Sequence, residues 1–236
     1  MKSQIEIFDH DARVLGGYGY TLDTRLSSRL AVQRSLEAML AACPFAGRSV
    51  LDAAAGDGFY TIRFYDRAKT RTLVAADAAP HAIGVAREHA AGRPIHFMVA
   101  DANAMPWSND SFEVALVQSV LHHADDPLGI LRESFRVAPT VVIHEPNGNN
   151  PFLKIIERLS PYHHAHHERS YSSLRFGRWI REAGGTVVMK SYAGFVPMFC
   201  PVWLTHGMKA IEPLVERLPI ARGWACAVVV YVCKRR

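Results

Sequence analysis

Ser49-Val50-Leu51-Asp52-Ala53-Ala54-Ala55-Gly56-Asp57-Gly58-Phe59 reads as a short buried strand that runs into a glycine-bearing turn and then opens a helix. Val50 and Leu51 carry strand character. Gly56 and Gly58 stand where a chain turns sharply and where backbone can approach a ligand without a Cβ in the way. The helix that follows carries Phe59, Ile62 and Phe64 among polar residues. A strand, turn and helix in this order form the first half of a doubly wound α/β nucleotide site, whose ligand lies beyond the carboxyl ends of the strands.

The acids downstream fall at telling positions. A second strand, Thr72–Ala76, ends at Asp77, which lies 77 − 58 = 19 positions past Gly58. A carboxylate about 20 residues after a glycine turn is placed to accept both hydroxyls of a ribose. A third strand, Ile95–Ala100, closes on Asp101 in the same way. Each carboxylate also has a plainer reading as a helix N-cap, Asp77 above all, because Ala78-Ala79-Pro80 follows it.

With these residues in view, the sequence resembles the class I S-adenosylmethionine-dependent methyltransferases. The likeness rests on Val50 to Gly58, Asp77, Val99-Ala100-Asp101-Ala102, the run from Met105 to Glu113, and Gln118-Ser119-Val120-Leu121-His122-His123. It covers roughly residues 49–145. The resemblance implies S-adenosyl-L-methionine as cofactor and S-adenosyl-L-homocysteine as product. By the same resemblance Asp77 holds the ribose, Asp101 and Ala102 the adenine edge, Asp52 to Gly58 the methionine portion, and Gln118 the floor under the sulfonium. The cofactor-binding set is then Tyr20, Asp52, Ala53, Ala54, Gly56, Gly58, Asp77, Ala78, Asp101, Ala102 and Gln118. Family members usually carry glycine where Ala54 stands, and alanine fits there if its φ is negative.

The remaining elements alternate. Strands are expected at Phe112–Gln118 and Thr140–His144, with helices at Phe59–Ala68, Pro80–Ala91 and Pro127–Val137; Thr186–Tyr192 and Cys226–Val232 add two late strands. Alternation predicts a parallel sheet with helices on both faces. The resemblance makes it a Rossmann-like, doubly wound, seven-stranded sheet with the last strand antiparallel. Residues 1–45 are expected to form an N-terminal lid and helix: Leu26 to Leu40 has helical periodicity, while Gly16-Gly17-Tyr18-Gly19-Tyr20 makes Asp11 to Tyr20 too glycine-rich for a stable helix and suits a closing lid or an ordinary surface loop. Residues 46–236 form the cofactor domain, with substrate-pocket insertions near 146–185 and 194–223. The second is apolar and punctuated by proline, fit to wall an organic substrate, a second subunit or a membrane surface.

Composition bounds the function. The chain has 236 residues, 49% of them hydrophobic, and a net charge of +5. No run is long and apolar enough to span a membrane, and no signal peptide is read, which predicts a cytoplasmic protein. The four cysteines include no Cys-x-x-Cys pair. Positive charge is dispersed, without a basic stripe or an Asn-Pro-Pro-aromatic type motif after the fourth strand, so a nucleic acid partner is not indicated. His122 and His123 follow the fourth strand, where an acceptor should lie, and are the candidate general bases; a purely structural role is the alternative. His144 and Glu145 rank next. The cluster His163-His164-Ala165-His166-His167 has no metalloprotease spacing and is read as a solvated polar turn or a substrate loop, with no metal expected. The function expected is methyl transfer to O, N or C of a small organic molecule, such as a secondary metabolite or a sugar or lipid precursor. The alternatives are an RNA base methyltransferase and a non-catalytic cofactor-binding subunit. A homodimer is left open.

Overall fold

The computed structural model describes residues 4–160, 163, 164, 166 and 168–236. Its elements are α1 (Gln4–Leu15), α2 (Leu26–Ala42), β1 (Ser49–Asp52), α3 (Phe59–Ala68), β2 (Thr72–Asp77), α4 (Pro80–Ala90), β3 (Ile95–Val99), β4 (Val114–Gln118), α5 (Pro127–Val137), β5 (Thr140–Pro146), α6 (Pro151–Leu159), α7 (Ser173–Glu182), β6 (Gly185–Ala193), α8 (Val202–Arg217), α9 (Pro219–Ala225) and β7 (Val228–Arg235).

The strands form one seven-stranded sheet in the order β3-β2-β1-β4-β5-β7-β6. β7 lies antiparallel between β5 and β6, and the pairs among β1 to β5 are parallel. This is the expected doubly wound sheet. Its central strands are apolar end to end, as strands covered on both faces must be: Val114 to Val117 and Val141 to Ile143 are all buried. The two-residue pleat then divides the strands between two cores. Val50, Leu116, Val142, Val230 and Val232 join Leu36, Met39, Phe64 and Ile83 on the α2, α3 and α4 side. Leu51, Val117, Ile143, Tyr231 and Cys233 join Leu131, Phe135, Phe176 and Ile180 on the α5 and α7 side. Strand order reverses between β1 and β4, and a crevice opens at their carboxyl ends.

Local sequence sets the helix ends. Pro127 opens α5 behind Asp126, whose side chain accepts the Gly129 amide, and Asn150 does the same for α6 through the Phe152 and Leu153 amides. Both are N-cap and N1 proline pairs. α3 and α5 begin and end where the sequence predicts. β5 runs two residues further than expected, to Pro146, because β7 pairs with it along that length. β7 begins at Val228 and continues to Arg235, and Cys226 lies before it.

One expectation is corrected, and one segment left without an assignment takes a definite form. Part of the segment from Asp11 to Tyr20 is helical: α1 continues to Leu15 and stops only at Gly16, whose φ is +71°. The stretch 194–223 is mostly helix, α8 and α9, with Pro213 inside α8. Its proline punctuation concealed the periodicity.

Close packing makes one glycine indispensable. A Cβ on Gly185, at the start of β6, would overlap the ring of Phe135 on α5. Gly185→Ala is expected to destabilise the fold by about 1–3 kcal/mol through overpacking, read as a lower urea midpoint at unchanged m-value. Adding Phe135→Leu should recover part of the loss.

Candidate active site

The crevice at the switch point is a cavity of about 350 Å³, within the range of small-molecule sites. Its floor is the loop after β1. Ala53 N donates to Leu116 O at 3.0 Å and Ala55 N to Ala76 O at 2.8 Å, so the loop is stitched to both neighbouring strands. Gly58 takes φ +77°, and a Cβ there would press on Ala86 of α4. Ala54 is absent from the residues with positive φ, so the missing glycine is accommodated as alanine requires.

Asp77 ends β2 as a fork. Its Oδ2 accepts the Gly56 amide at 2.8 Å and its Oδ1 the Ala79 amide at 2.9 Å. The carboxylate closes the turn before α4, whose N-cap is Ala79, so the helix-cap reading of Asp77 is corrected, and it lines the cavity. Burial raises its pKa, and the Ala79 and Gly56 amides oppose the rise. Asp52, buried at the end of β1, accepts from Thr61 Oγ1 at 2.6 Å, while its Oδ1 has no hydrogen-bond partner. Burial pushes it up to about 6. Asp101 is exposed at the rim and accepts the Asn103 amide at 2.8 Å. Tyr20, Ala53, Ala78, Ala102 and Gln118 also line the cavity. Gly58 alone of the expected set does not line it and acts through packing. Ser119, at the tip of β4, lines the cavity with φ +50°, a strained conformation of the kind that gathers at functional sites.

The N-terminal segment roofs this cavity. Gln4, Ile5 and Phe8 of α1 line it with Tyr18 and Tyr20. The roof is fastened by Asp57, whose Oδ2 accepts the Tyr18 amide at 3.0 Å and Thr21 Oγ1 at 2.6 Å. Tyr18 lies against Gly56, where a Cβ would meet its ring at 2.6 Å. Farther along, His81 binds Asp9 through its amide and its Nδ1, both at 2.7 Å. Asp57 and Phe8 were not singled out from sequence. Asp57 sits between two glycines that claim attention, and Phe8 lies ahead of the glycine-rich segment, in a stretch given no element from sequence. A second, more open cleft of about 500 Å³ lies between this segment, α2 and α3, and shares Tyr20 with the cavity.

At the other end lie the histidines. Glu145, fully buried on β5, accepts the amides of Val120 and Leu121 at 2.9 and 2.8 Å through Oε1, and His122 Nδ1 lies 2.7 Å from its Oε2. Burial pushes Glu145 up to about 7 and drives His122 down to about 3, so burial favours the uncharged form of each partner. His123 lines the cavity with its ring 3.9 Å from that of His122 and edge-on to Phe8 at 4.8 Å. Burial, then the neighbouring His122, lowers it well below the ordinary histidine value. His144 points the other way, as strand alternation demands, with Nε2 2.5 Å from Ser35 Oγ of α2. It is removed from the acceptor end, while Glu145 is brought to it.

The insertion after α6 closes on the same place. His163 Nε2 lies 3.0 Å from Glu168 Oε2, and His166 Nε2 lies 2.9 Å from Asp11 of α1. Ala165 and His167 of the cluster lie outside the described residues. His166 is buried, so this part of the cluster is packed against α1 and not a solvated turn. Among the described residues, His122, His123 and Glu168 bring three ligand-type atoms within 4.8 Å of one another.

Carboxylates at successive strand tips, a glycine loop and a cavity over the switch point are the features of a doubly wound nucleotide-binding fold. Residues 51–140 match the family model described as a methyltransferase domain. The chain is 33% identical over 97 residues to the ubiquinone/menaquinone biosynthesis C-methyltransferase of Desulfotalea psychrophila, covering 40% of this chain and 38% of that one. It is 28% identical over 88 residues to 2-methyl-6-phytyl-1,4-hydroquinone methyltransferase 2, chloroplastic, of Oryza sativa subsp. japonica, covering 37% and 25%. The matches thus span well under half the length of these relatives. Among solved structures, an S-adenosylmethionine-dependent methyltransferase of Thermotoga maritima, titled a possible histamine N-methyltransferase, superposes with TM-score 0.71 at 15% identity over 99% of this chain and 100% of that one. A geranyl diphosphate methyltransferase in complex with GPP and sinefungin gives 0.62 at 13% over 89% and 80%. Residues 51–140 are thus similar to a methyltransferase domain, and over the whole chain the fold is that of solved S-adenosylmethionine-dependent methyltransferases. The cofactor of that class fits the residues present: it carries an ammonium, and the buried Asp52 Oδ1 is a carboxylate oxygen without a partner, facing the cavity loop.

Asp57→Ala is expected to release the roof. Losing two hydrogen bonds to a charged acceptor, each of about 1.5–3 kcal/mol, should speed amide exchange at Tyr18 by roughly a hundredfold or more, as measured by hydrogen-exchange NMR or mass spectrometry.

Proposed function

We propose that this chain transfers a methyl group from S-adenosyl-L-methionine to a small, apolar ring acceptor of the hydroquinone type, at a ring carbon or its oxygen. The observation that carries the reading is the shared cavity: Asp52, Asp77, Asp101 and His123 line one crevice together with Ile5, Phe8, Val120 and Ile130. The names of the relatives support a ring acceptor. A cytoplasmic setting goes with it, since no described helix is long and apolar enough to cross a membrane and the four cysteines are unpaired.

In this reading Asp77 takes the ribose hydroxyls on the lone pairs its two amide donors leave free. Asp101 and Ala102 border the adenine, the loop from Asp52 to Gly58 holds the methionine portion, Gln118 lies beneath the sulfur, and Tyr20 belongs to the covering segment. When bound, the cofactor supplies an already activated methyl group. The chain must hold the acceptor in line and remove a proton. His123 accepts the hydroxyl proton of the acceptor, which raises electron density on the ring. His122, fixed by Glu145, keeps the neighbouring imidazole in place. Residues 1–45 act as the lid.

The RNA reading is less well supported. Part of the basic surface is already engaged, with Arg71 on Glu113, Arg93 on Asp66, Arg136 on Glu133 and Arg235 on Asp110. Purified chain supplied with methyl-labelled cofactor should label a prenylated hydroquinone and not an RNA transcript. Label in the RNA, or in neither, overturns the proposal.

Asp77→Ala should weaken S-adenosyl-L-homocysteine binding by about 2 kcal/mol or more, since charge-assisted hydrogen bonds contribute about 1.5–3 each; calorimetry with unchanged affinity would take Asp77 out of the ribose site.

His123→Ala should lower kcat by roughly 10²-fold or more with little change in cofactor affinity, as expected on losing a general base. A base is competent when neutral, and both histidines titrate well below the usual 6.5. Activity should therefore persist as pH falls past 6.5 and fail only at distinctly lower pH; an acid limb at 6.5 would contradict the assignment.

A further inference from the structure

Three helices of this fold are inside out. In α6, Phe152, Ile155 and Leu159 recur at positions i, i+3 and i+7, which share one helix face, and are 70, 53 and 75% exposed. The polar residues take the inner side: Lys154 Nζ bonds Glu157 and Ser170 Oγ, both at 2.8 Å. In α8, Trp203, Ile211 and Leu214 share the outer face, with Trp203 76% exposed. The opposite face is polar and buried. Thr205 and Glu212 are shielded, Glu212 accepts the Phe195 amide at 2.9 Å, and Glu216 accepts the Gly194 amide at 2.8 Å and pairs with Arg34. α9 continues the pattern with Ile220 and Trp224, one turn apart and 81 and 60% exposed.

The three form one surface. α9 contacts both α6 and α8, and Asn147 and Asn150 tie the α6 start to the carbonyls of Gly223 and Ala225 at 3.0 and 3.2 Å. All three leave the sheet at one edge: Pro146 of β5 pairs with Val228 of β7, and Val228 with Ala193 of β6. That is the carboxyl edge of the parallel strands, the side on which the cavity opens.

The charge on this surface has one sign. Every acid of the three helices, Glu157, Glu212 and Glu216, is turned inward and paired. Arg158 and Arg217 are left as outward charge beside an apolar centre. Apolar and aromatic side chains within a basic margin match the interface of an anionic bilayer, which takes the rings and aliphatic chains at the headgroup boundary and the guanidinium groups at its phosphates. A protein partner's anionic rim would serve the margin, yet would need its own apolar face spread across three helices. We propose that α6, α8 and α9 seat this protein on an anionic lipid surface beside the mouth of its cavity. The inference goes beyond the methyltransferase reading and does not depend on it.

The test is flotation with vesicles of phosphatidylglycerol and phosphatidylcholine in equal parts, against phosphatidylcholine alone, at near-physiological salt. The wild-type chain should float with the anionic vesicles and far less with the neutral ones. The variant Trp203→Ser/Ile220→Ser/Trp224→Ser should lose about tenfold or more of that partition, and Arg158→Gln/Arg217→Gln should lose much of the preference for anionic lipid. None of these residues lines the cavity, so S-adenosyl-L-homocysteine binding should persist in both variants and report that they are folded. No flotation of the wild type, unchanged partition of the triple serine variant, or a wild-type dimer that this variant turns into a monomer overturns the proposal. Loss of cofactor binding in the wild type with flotation intact would instead overturn the methyltransferase reading and leave this surface standing.

Discussion

A carboxylate can be carried to the end of a buried strand only if N–H or O–H groups are aimed at it, because an unpaired charge in such a place is costly. Asp77 is met by two backbone amides, Glu145 by two amides and an imidazole, Asp57 by an amide and a hydroxyl, Asp52 by the hydroxyl of Thr61. Each requirement fixes a piece of backbone. The glycine loop is held against α4 by Asp77, the turn after β4 is held against β5 by Glu145, and the N-terminal segment is held against the loop by Asp57. The cavity is thus shaped by the demands of the acids around it.

These constraints also account for the division of labour along β5. Neighbouring residues on a strand face opposite ways, so His144 and Glu145 cannot serve the same site. His144 meets Ser35 under α2 and is pushed down to about 4 by burial. Glu145 meets His122 on the side where the turn after β4 passes. The insertion after α6 then adds Glu168, His163 and His166 to the same neighbourhood, with Asp11 of the roof as one of their partners.

The frame of the fold was legible because its elements obey local rules. α3 and α5 have apolar faces directed inward, and α5 has a proline start behind a capping acid, so both ends can be read from the chain. The strand tips were legible through spacing, Asp77 standing 19 positions past Gly58. α8 was not, since its apolar residues lie on the outer face and its acids on the inner one, the reverse of what an inward-facing helix displays. α1 was hidden by the glycines that end it. The phase of β5, which separates Glu145 from His144, needs the register of a sheet and is not contained in the neighbouring residues. Asp57 was overlooked because its partners, Tyr18 and Thr21, lie 39 and 36 residues away.

Asp57 belongs to the floor of the enclosure and yet fastens its ceiling. The two halves are therefore mechanically one: a ligand that shifts the glycine loop must tug the arm above it, and a loosened arm must slacken the loop. Floor and roof are joined at this one carboxylate, with the Tyr18 ring against Gly56 as a second seam beside it.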